Sequence, residues 1–329
     1  MGTQRYLLSK LGQLFLTLLI VLTIAFLLFR VLLPGDPVTT YLRSSGARYT
    51  PEQVEQLRHD WGLDVPIFPD QYIDFMTDSL TFNFGVSTTI VPGVSVSQLF
   101  WERMGKSLIL IVTSTLAAIA IGIVLGIKGG WKRRGRLDNS SMGVSMVLYA
   151  MPEFVLGMIL ILLFANVVHW FPSGQYESHG VTYTGTAHLV DVGRHMVLPW
   201  LTLTLAYMGE FYLVMRSSLL DVLGEEYIAL ARAKGVREKF VLRRHAVPNA
   251  LLPTITLVAL SFGFILGGVL TVELVFSYPG VGLFSVDALQ ARDFAVLQAT
   301  FMISVIAVLV ANLIADLTYG YLDPRVRTA

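Results

Sequence analysis

The sequence predicts an all-α integral membrane protein with six transmembrane helices. Hydrophobic residues make up 54% of the 329 residues and charged residues only 14%, whereas a soluble domain carries about 25% charged residues. Six apolar stretches reach the roughly 20 residues that a helix needs to cross a bilayer. These predicted spans are 11–33, 108–127, 142–168, 196–215, 252–272 and 294–317.

The first apolar stretch follows Arg5 and Lys10, an arrangement that also occurs in secretory signal peptides. However, the stretch is longer than the apolar region of a signal peptide. It also runs into Pro34-Gly35-Asp36-Pro37 without a cleavage site of small residues. We therefore interpret it as a retained transmembrane helix.

Two of the next predicted spans carry residues that shape helix packing. Gly122 and Gly126 in the second span form a GxxxG pair, which lets two helices approach closely. Met151 and Pro152 lie at the centre of the third span, where proline predicts a kink. The alternative is a complete break that gives seven spans, which would move the segment after the fourth span to the outside.

The basic residues predict that both termini, and the segments after the second and fourth spans, are cytoplasmic. In this orientation sixteen of the 24 Lys and Arg residues lie on the inner side, and the two short outer loops carry only Arg194 and Arg292. The sixteen are Arg5, Lys10, Lys128, Lys132, Arg133, Arg134, Arg136, Arg216, Arg232, Lys234, Arg237, Lys239, Arg243, Arg244, Arg325 and Arg327.

The long outer segment between the first two spans contains one predicted helix with a marked start. Thr50 is expected as its N-cap, Pro51 at its first position, and Gln53 as the partner that completes a capping box. Gly62 is expected to end it.

Patterns that would indicate catalysis or metal binding are incomplete. The chain has no cysteine, which excludes disulfides and cysteine-bound zinc. Gly105-Lys106-Ser107 matches the end of a phosphate-binding P-loop, but Phe100 stands where the motif needs its first glycine. ATP is therefore expected to be hydrolysed by another polypeptide. Four histidines in or beside one outer loop lack regular ligand spacing, and we interpret them as solvated side chains. They are His169, His179, His188 and His195.

The longest charged stretch between two apolar segments, 224–253, begins with a predicted short helix. Glu225 and Glu226 suit the positive end of the helix dipole, and Lys234 suits the negative end. Gly235 can adopt the left-handed conformation that ends a helix. Helical spacing places four residues on one face: Tyr227, Leu230, Ala231 and Lys234. A thin helix of this kind suits insertion into a groove of a partner protein.

This stretch resembles the cytoplasmic coupling loop, or EAA loop, of ABC importer permeases. When the glycine of that pattern is placed on Gly235, its proline falls on Pro248 and matches. The acid, isoleucine and leucine of the pattern fall on Ala229, His245 and Val247, which do not match. Residues 227–235 instead resemble the dipeptide, oligopeptide and nickel permease group, with the pattern Tyr-x-x-x-Ala-Arg-Ala-Lys-Gly. Further similarity lies at 34–37, 61–64, 84–87, 276–282 and 319–325.

The resemblance implies the transmembrane domain of a type I ABC importer in the inner membrane of a bacterial-type cell. It implies a transmembrane helix at 1–33, an extracytoplasmic segment at 34–106, and a five-helix core at 107–329 with its coupling loop at 216–251. The implied partners are a second, related permease subunit, two ATPases that bind ATP and Mg, an external binding protein and the lipid bilayer. No cofactor is expected in this chain, and no nucleic acid. The residues implied in ATPase coupling are Glu225, Glu226, Tyr227, Ala231, Arg232, Ala233, Lys234, Gly235 and Pro248.

Two carboxylates lie within predicted spans, namely Glu153 in the third and Glu210 in the fourth. A carboxylate at mid-membrane costs about 2.5–3.5 kcal/mol on insertion scales, so each is expected to face a cavity or a partner rather than lipid. One hypothesis is that one of them lines the translocation path and meets the ammonium group of a peptide. The alternative is a structural hydrogen bond to a neighbouring helix.

Other functions stay open at this stage. An ion-coupled secondary transporter could use the two carboxylates as relay groups, although the chain shows no internal repeat of the kind such carriers often have. An importer of nickel or of other small solutes, and a membrane scaffold without transport, are the remaining alternatives.

Overall fold

The computed structural model describes residues 3–32, 37–44, 49–180 and 183–322, and this part of the chain confirms the predicted all-α class. Apart from one isolated bridge between Val86 and Ser95, these residues form no β-structure. The helices are α1 (Thr3–Phe26), α2 (Pro37–Ser44), α3 (Pro51–Asp60), α4 (Tyr72–Thr81), α5 (Val96–Trp131), α6 (Arg136–Ala150), α7 (Glu153–Leu160), α8 (Thr186–Leu223), α9 (Glu226–Ala233), α10 (Glu238–Phe240), α11 (Val247–Val275), α12 (Val281–Ala291) and α13 (Phe294–Leu322). Wider π-helical turns occupy Leu27–Leu32, Ile161–Val167 and Val241–Ala246. The short segment Ile67–Gln71 is interrupted by extended backbone at Phe68.

Within the described residues, four single helices are long and apolar enough to cross a membrane. They are Leu8–Leu32, Val96–Trp131, Thr186–Leu223 and Phe294–Ile314. A fifth candidate is the bent pair Arg136–Ala150 and Glu153–Val167. The predicted span 252–272 falls inside α11, but the side chains of 259, 260 and 262–268 are outside the described part. The count of six spans therefore stays a prediction.

The chain folds into two compact units, one of Met1–Ser107 with Pro279–Ala329 and the other of Leu108–Tyr278. The predicted ranges 1–33, 34–106 and 107–329 divide the chain by its position relative to the membrane. The compactness of a unit does not measure that position, so these ranges stay a prediction. Of the sequence features named above, 34–36, 323–325 and Arg327 lie outside the described residues.

In the unit Leu108–Tyr278, α5 packs closely against α8 in the parallel direction. A Cβ atom added to Gly122 would lie 2.6 Å from the Cβ atom of Phe211, and one added to Gly126 would lie 2.8 Å from that of Met215. The later glycine on α5 contacts the later residue on α8, so the two helices run in the same direction. Their backbones are close because glycine has no side chain. This confirms the packing role predicted for the glycine pair.

The bent pair α6 and α7 runs along α8 in the opposite direction. Near one end the Nη2 atom of Arg216 donates to Asp138 at 2.8 Å, and at the other the Nη2 atom of Arg194 donates to the carbonyl of Trp170 at 3.3 Å. The length of α8 between these two arginines is about 33 Å at the α-helical rise. A hydrocarbon core is about 30 Å thick, so the segment 138–170 extends far enough to cross it once.

The predicted interruption at Met151 and Pro152 is present and is larger than a kink. α6 ends at Ala150 and α7 begins at Glu153, and the helix axis bends by 109° between them. Because α5 and α8 are parallel, this broken segment connects opposite ends of the unit, as a single crossing does.

α11 returns along α8 from the end that carries Arg216. Near its start, Thr254 donates a hydrogen bond to the sulfur of Met215. Just past its last residue, the carbonyl of Phe276 accepts from the backbone N–H of Gln175 at 2.7 Å. Every Lys and Arg between 108 and 278 except Arg194 lies at the Arg216 end or in the segment that joins α8 to α11.

The unit that contains both chain ends has its own aromatic core. Phe26 of α1 packs edge-on against Phe75 of α4 at 5.4 Å between ring centroids. Phe100, Phe284 and Met302 are buried in the same cluster. The capping box predicted for α3 is confirmed, since Thr50 and Gln53 exchange both hydrogen bonds and Gly62 has a φ of 62° just after the helix.

A buried carboxylate joins the outer segment to the start of α13. Asp293 is fully buried and precedes that helix. Its Oδ2 atom accepts from the hydroxyl of Ser87 at 2.6 Å and from the backbone N–H groups of Thr88 and Thr89, each at 2.9 Å. These hydrogen bonds offset the cost of burying the charge. They fix residues 87–89, which begin at the end of 84–87, one of the stretches that resembles the permease group.

We expect Gly122→Ala to destabilise the packing of α5 on α8. The new Cβ atom would lie 2.6 Å from that of Phe211 and 2.8 Å from the carbonyl of Met208, and overpacking of this kind costs about 1–3 kcal/mol. Gly143→Ala is the matched control, because a Cβ atom there meets nothing within 4 Å. The thermal unfolding midpoint in detergent should be lower for Gly122→Ala than for Gly143→Ala. Equal midpoints would contradict the close contact.

Candidate coupling site and membrane cavity

The predicted coupling helix is present as α9, and both of its ends form as the sequence indicates. Glu225 is its N-cap residue and Glu226 its first residue. Gly235 adopts a φ of 77°, and its N–H donates to Arg232 while that of Val236 donates to Ala231. This pair of hydrogen bonds is the Schellman motif, which satisfies carbonyls at a helix C-terminus.

One face of α9 is seated on the protein itself. Ile228 is fully buried and Ala231 is 8% exposed. They pack in one cluster with residues from α8, from the π-helical turn Val241–Ala246 and from α11, namely Met215, Leu219, Val241, Ala246 and Ala250. The sequence grouped Ala231 with Tyr227, Leu230 and Lys234 by helical spacing, but Ala231 is buried whereas the other three are exposed. Helical spacing gives the angular position of a residue on the helix but not whether that position is buried.

The opposite face of α9 is exposed and partly apolar. Tyr227 is 41% and Leu230 is 56% exposed, and Lys234 is also exposed. Exposed large apolar side chains on a charged, short helix are typical of a protein-binding surface. We call this the coupling face, consisting of Tyr227, Leu230 and Lys234.

A second contact fixes α9 to its surroundings through Arg232. Its Nε and Nη2 atoms donate to the two carboxylate oxygens of Glu238 at 3.0 and 3.2 Å. Its guanidinium lies 5.7 Å from the ring centroid of Trp131, the last residue of α5. Because both groups of the ion pair are exposed to solvent, its role is to orient the helix rather than to add much stability. The remaining predicted coupling residues are also exposed: Ala233 is the last residue of α9, and Pro248 lies near the start of α11.

The break between α6 and α7 opens a cavity of about 420 Å³ that both predicted membrane carboxylates line. Glu153 comes from the first residue of α7 and Glu210 from the middle of α8. The remaining lining residues are Leu148, Tyr149, Met151, Pro152, Phe154, Ala206, Tyr207 and Thr271. The structure therefore brings together two residues that the sequence could only place in separate spans.

The two carboxylates differ in how their charge is satisfied. Glu153 is hydrogen-bonded by Tyr207 and, at 3.4 Å, by Thr271, and it lies at a helix N-terminus, which favours an anion. Glu210 makes no hydrogen bond or ion pair with any residue that the structure describes. Glu210 is accordingly the carboxylate of this cavity that a cationic ligand would complement.

Two histidines near the outer loop have polar partners within the same unit. His188 lies 2.7 Å from Glu177. His195 lies 2.9 Å from the carbonyl of Asp191 and is buried, so the prediction of a solvated side chain is wrong for this histidine. The described residues contain no cluster of three or more potential metal ligands. Sequence reasoning missed Asp138, which is buried although it sits in a charged segment, because its partner Arg216 is distant in the sequence.

Comparison with known proteins decides the family. Residues 93–328 match the family described as binding-protein-dependent transport system inner membrane component, and residues 3–117 match the N-terminal region of such membrane components. The chain belongs to this family. The resemblance seen in the coupling loop is therefore confirmed over nearly the whole sequence.

Relatives match from end to end. The chain is 35% identical over 323 residues to a probable peptide ABC transporter permease protein of Sinorhizobium fredii, covering 98% of this chain and 99% of the relative. It is 35% identical over 322 residues to the glutathione transport system permease protein of Pectobacterium atrosepticum, with 98% of each covered. It is 33% identical over 342 residues to the dipeptide transport system permease protein of Escherichia coli K12, again with 98% of each covered. The chain is a multi-pass membrane permease subunit of an ABC importer.

Two substitutions on α9 distinguish its buried face, which packs on the protein itself, from its exposed coupling face. We expect Leu230→Ser to leave the thermal midpoint of the subunit unchanged but to weaken binding of the partner ATPase by about tenfold or more, since burying a leucine contributes about 1.5–3 kcal/mol. Ile228→Ser should lower the midpoint, because Ile228 is fully buried. Co-purification of the ATPase and thermal unfolding measure the two effects. A Leu230→Ser subunit that binds its ATPase normally would contradict the assignment of the coupling face.

Proposed function

We propose that this subunit imports di- or oligopeptides and spans the membrane six times, with both termini in the cytoplasm. The observation that carries this proposal is the position of α9. It lies at the end of its unit that holds nearly all of the basic residues, which in inner-membrane proteins is the cytoplasmic end. Peptide or glutathione transport in the names of the relatives supports the substrate class.

Six spans follow if the broken pair α6 and α7 counts as one crossing and α11 as another. The parallel packing of α5 and α8 supports the first step, since an odd number of crossings must lie between them. α11 is long enough for the second, because its range Val247–Val275 exceeds the roughly 20 residues required. The predicted domain ranges at 1–33, 34–106 and 107–329 agree with this topology.

The proposed complex contains a second, related permease subunit, two cytoplasmic ATPases and an external binding protein. ATP and Mg are bound by the ATPases, and this chain carries out no bond chemistry. When the ATPases close on ATP, they draw the coupling helices of the two permease subunits together. α8 and α11, which flank α9, transmit the movement and open the cavity outward to the loaded binding protein. The ATPases thereby bias an equilibrium between two packings of the helices.

Reconstitution tests this function. The subunit is placed in proteoliposomes with its partner permease, ATPases and binding protein, and uptake of a labelled dipeptide is measured with and without ATP. We expect uptake only with ATP and the binding protein, and no accumulation of labelled nickel. Uptake driven by an ion gradient without the ATPases would support a secondary transporter instead, and ATP-driven uptake of nickel alone would contradict the peptide assignment.

We further propose that Glu210 lines the translocation path and meets the ammonium group of the passing peptide. Its lack of a partner among the described residues supports this, as does the size of the cavity. Glu153, which Tyr207 and Thr271 already hold, has a mainly structural role in this arrangement.

The ratio of uptake between a free and an N-acetylated dipeptide tests the role of Glu210. Wild-type complexes should favour the free amine, and Glu210→Gln should reduce that preference by about tenfold, the effect of about 1.4 kcal/mol. Both rates are measured with the same binding protein, so its own selectivity cancels in the comparison of variants. Glu55→Gln, an exposed carboxylate in the outer segment, is the control for loss of one charge. An unchanged ratio in Glu210→Gln would remove Glu210 from the path.

A further inference from the structure

Asp138 and Arg216 form a buried ion pair between α6 and α8 in the unit Leu108–Tyr278. The carboxylate oxygens of Asp138 accept from the Nε and Nη2 atoms of Arg216 at 2.5 and 2.8 Å, and the side chains of Asp138 and Arg216 are 1% and 17% exposed. The hydroxyl of Tyr212 donates to Asp138 at 3.2 Å, and the backbone N–H of Arg134 donates at 2.9 Å. A bidentate pair of this geometry fixes orientation as well as charge.

The ion pair is one of the few buried contacts between α6 and α8. Only two residues of α6, Asp138 and Ser145, are buried, and the hydroxyl of Ser145 has no hydrogen-bond partner. The other close contact is at Gly209, where an added Cβ atom would lie 2.7 Å from the carbonyl of Ser145. Leu148 packs, partly buried, against a cluster that includes Met208 and Phe211 of α8. Because α6 has no fully buried large apolar side chain, the ion pair and the glycine contact are its most deeply buried attachments to α8.

The ion pair lies close to the residues that hold α9, and the other end of α6 lies at the cavity. On α8, Met215 and Leu219 lie on either side of Arg216 in the chain and pack in the cluster that seats Ile228 and Ala231 of the coupling helix. At the far end of α6, Leu148 and Tyr149 line the cavity that also contains Glu153 and Glu210. α6 is thus a rod that connects the ion pair to the cavity.

We propose that Asp138 and Arg216 are positioning residues that transmit movement of the coupling helix, through α6, to the membrane cavity. The proposal rests on the proposed function, because it requires that the ATPases move α9. Displacement of the lower end of α8 carries α6 with it through the two parallel hydrogen bonds. The break at Met151 and Pro152 then absorbs the movement and changes the shape of the cavity. The pair stays closed throughout and acts as a joint.

Two variants distinguish the geometry of the ion pair from its charge. Arg216→Lys keeps the positive charge and neutralises Asp138, but an ammonium group is a point charge that cannot form the planar, bidentate contact. Asp138→Asn removes the charge and leaves the shape. Glu102→Gln breaks an ion pair with Lys106 in which Glu102 is exposed, and it serves as the control.

The measurement is the number of peptides transported per ATP hydrolysed by the reconstituted complex, together with stimulation of its ATPase by the loaded binding protein. For Arg216→Lys and Asp138→Asn we expect both quantities to fall by about tenfold, within the range of typical coupling energies, while basal ATP hydrolysis and the amount of assembled complex stay unchanged. Glu102→Gln should match the wild type.

Several results would overturn the proposal. They are a wild-type ratio in Arg216→Lys, a loss of basal ATP hydrolysis in parallel with uptake, or failure of the Arg216→Lys subunit to assemble, which would show that the pair serves folding alone. Failure of the proposed function itself looks different, since in that case the wild-type complex would show no ATP-dependent uptake at all.

Discussion

The close parallel packing of α5 against α8 is the constraint on which the rest of the larger unit depends. Gly122 and Gly126 let the two backbones approach so closely that a single methyl group at either site would collide with the partner helix. In a bilayer no hydrophobic effect holds two helices together, so contact of this kind has to supply much of the association. Because the two helices run in the same direction, the chain between them must return across the unit. The C-terminal end of α8, which leads into α9, therefore lies at the same end of the unit as the basic loop after α5.

The position of the coupling helix follows from that arrangement. α9 is too short to be stable alone, and it is helical because Ile228 and Ala231 are buried against the ends of α8 and α11. Seating on one side leaves Tyr227 and Leu230 exposed on the other. The proposed contact with an ATPase requires rigid attachment and an exposed apolar surface, and α9 has both.

Local features of the sequence could be predicted, because they depend on neighbouring residues. Gly235 ends α9, Thr50 caps α3, and Pro152 interrupts a span, as their residue types indicate. Features that join distant parts of the chain could not be predicted. Asp138 and Arg216 are 78 positions apart, and Asp293 is 206 positions from Ser87. Nothing in the spacing of either pair distinguishes its members from other charged or polar residues near helix ends. The inward orientation of Ala231 was missed for a related reason, since the side of a thin helix that is buried depends on what it packs against.

The side of the membrane on which α9 lies tests the account most directly. The chain contains no cysteine, so Lys234→Cys introduces a single thiol on the coupling face, and Glu55→Cys introduces one in the outer segment. A membrane-impermeant maleimide should label Glu55→Cys in intact spheroplasts, and should label Lys234→Cys only in inverted vesicles or after permeabilisation. Labelling of Lys234→Cys from the outside of intact spheroplasts would contradict the account, because the coupling helix could not then reach an ATPase in the cytoplasm.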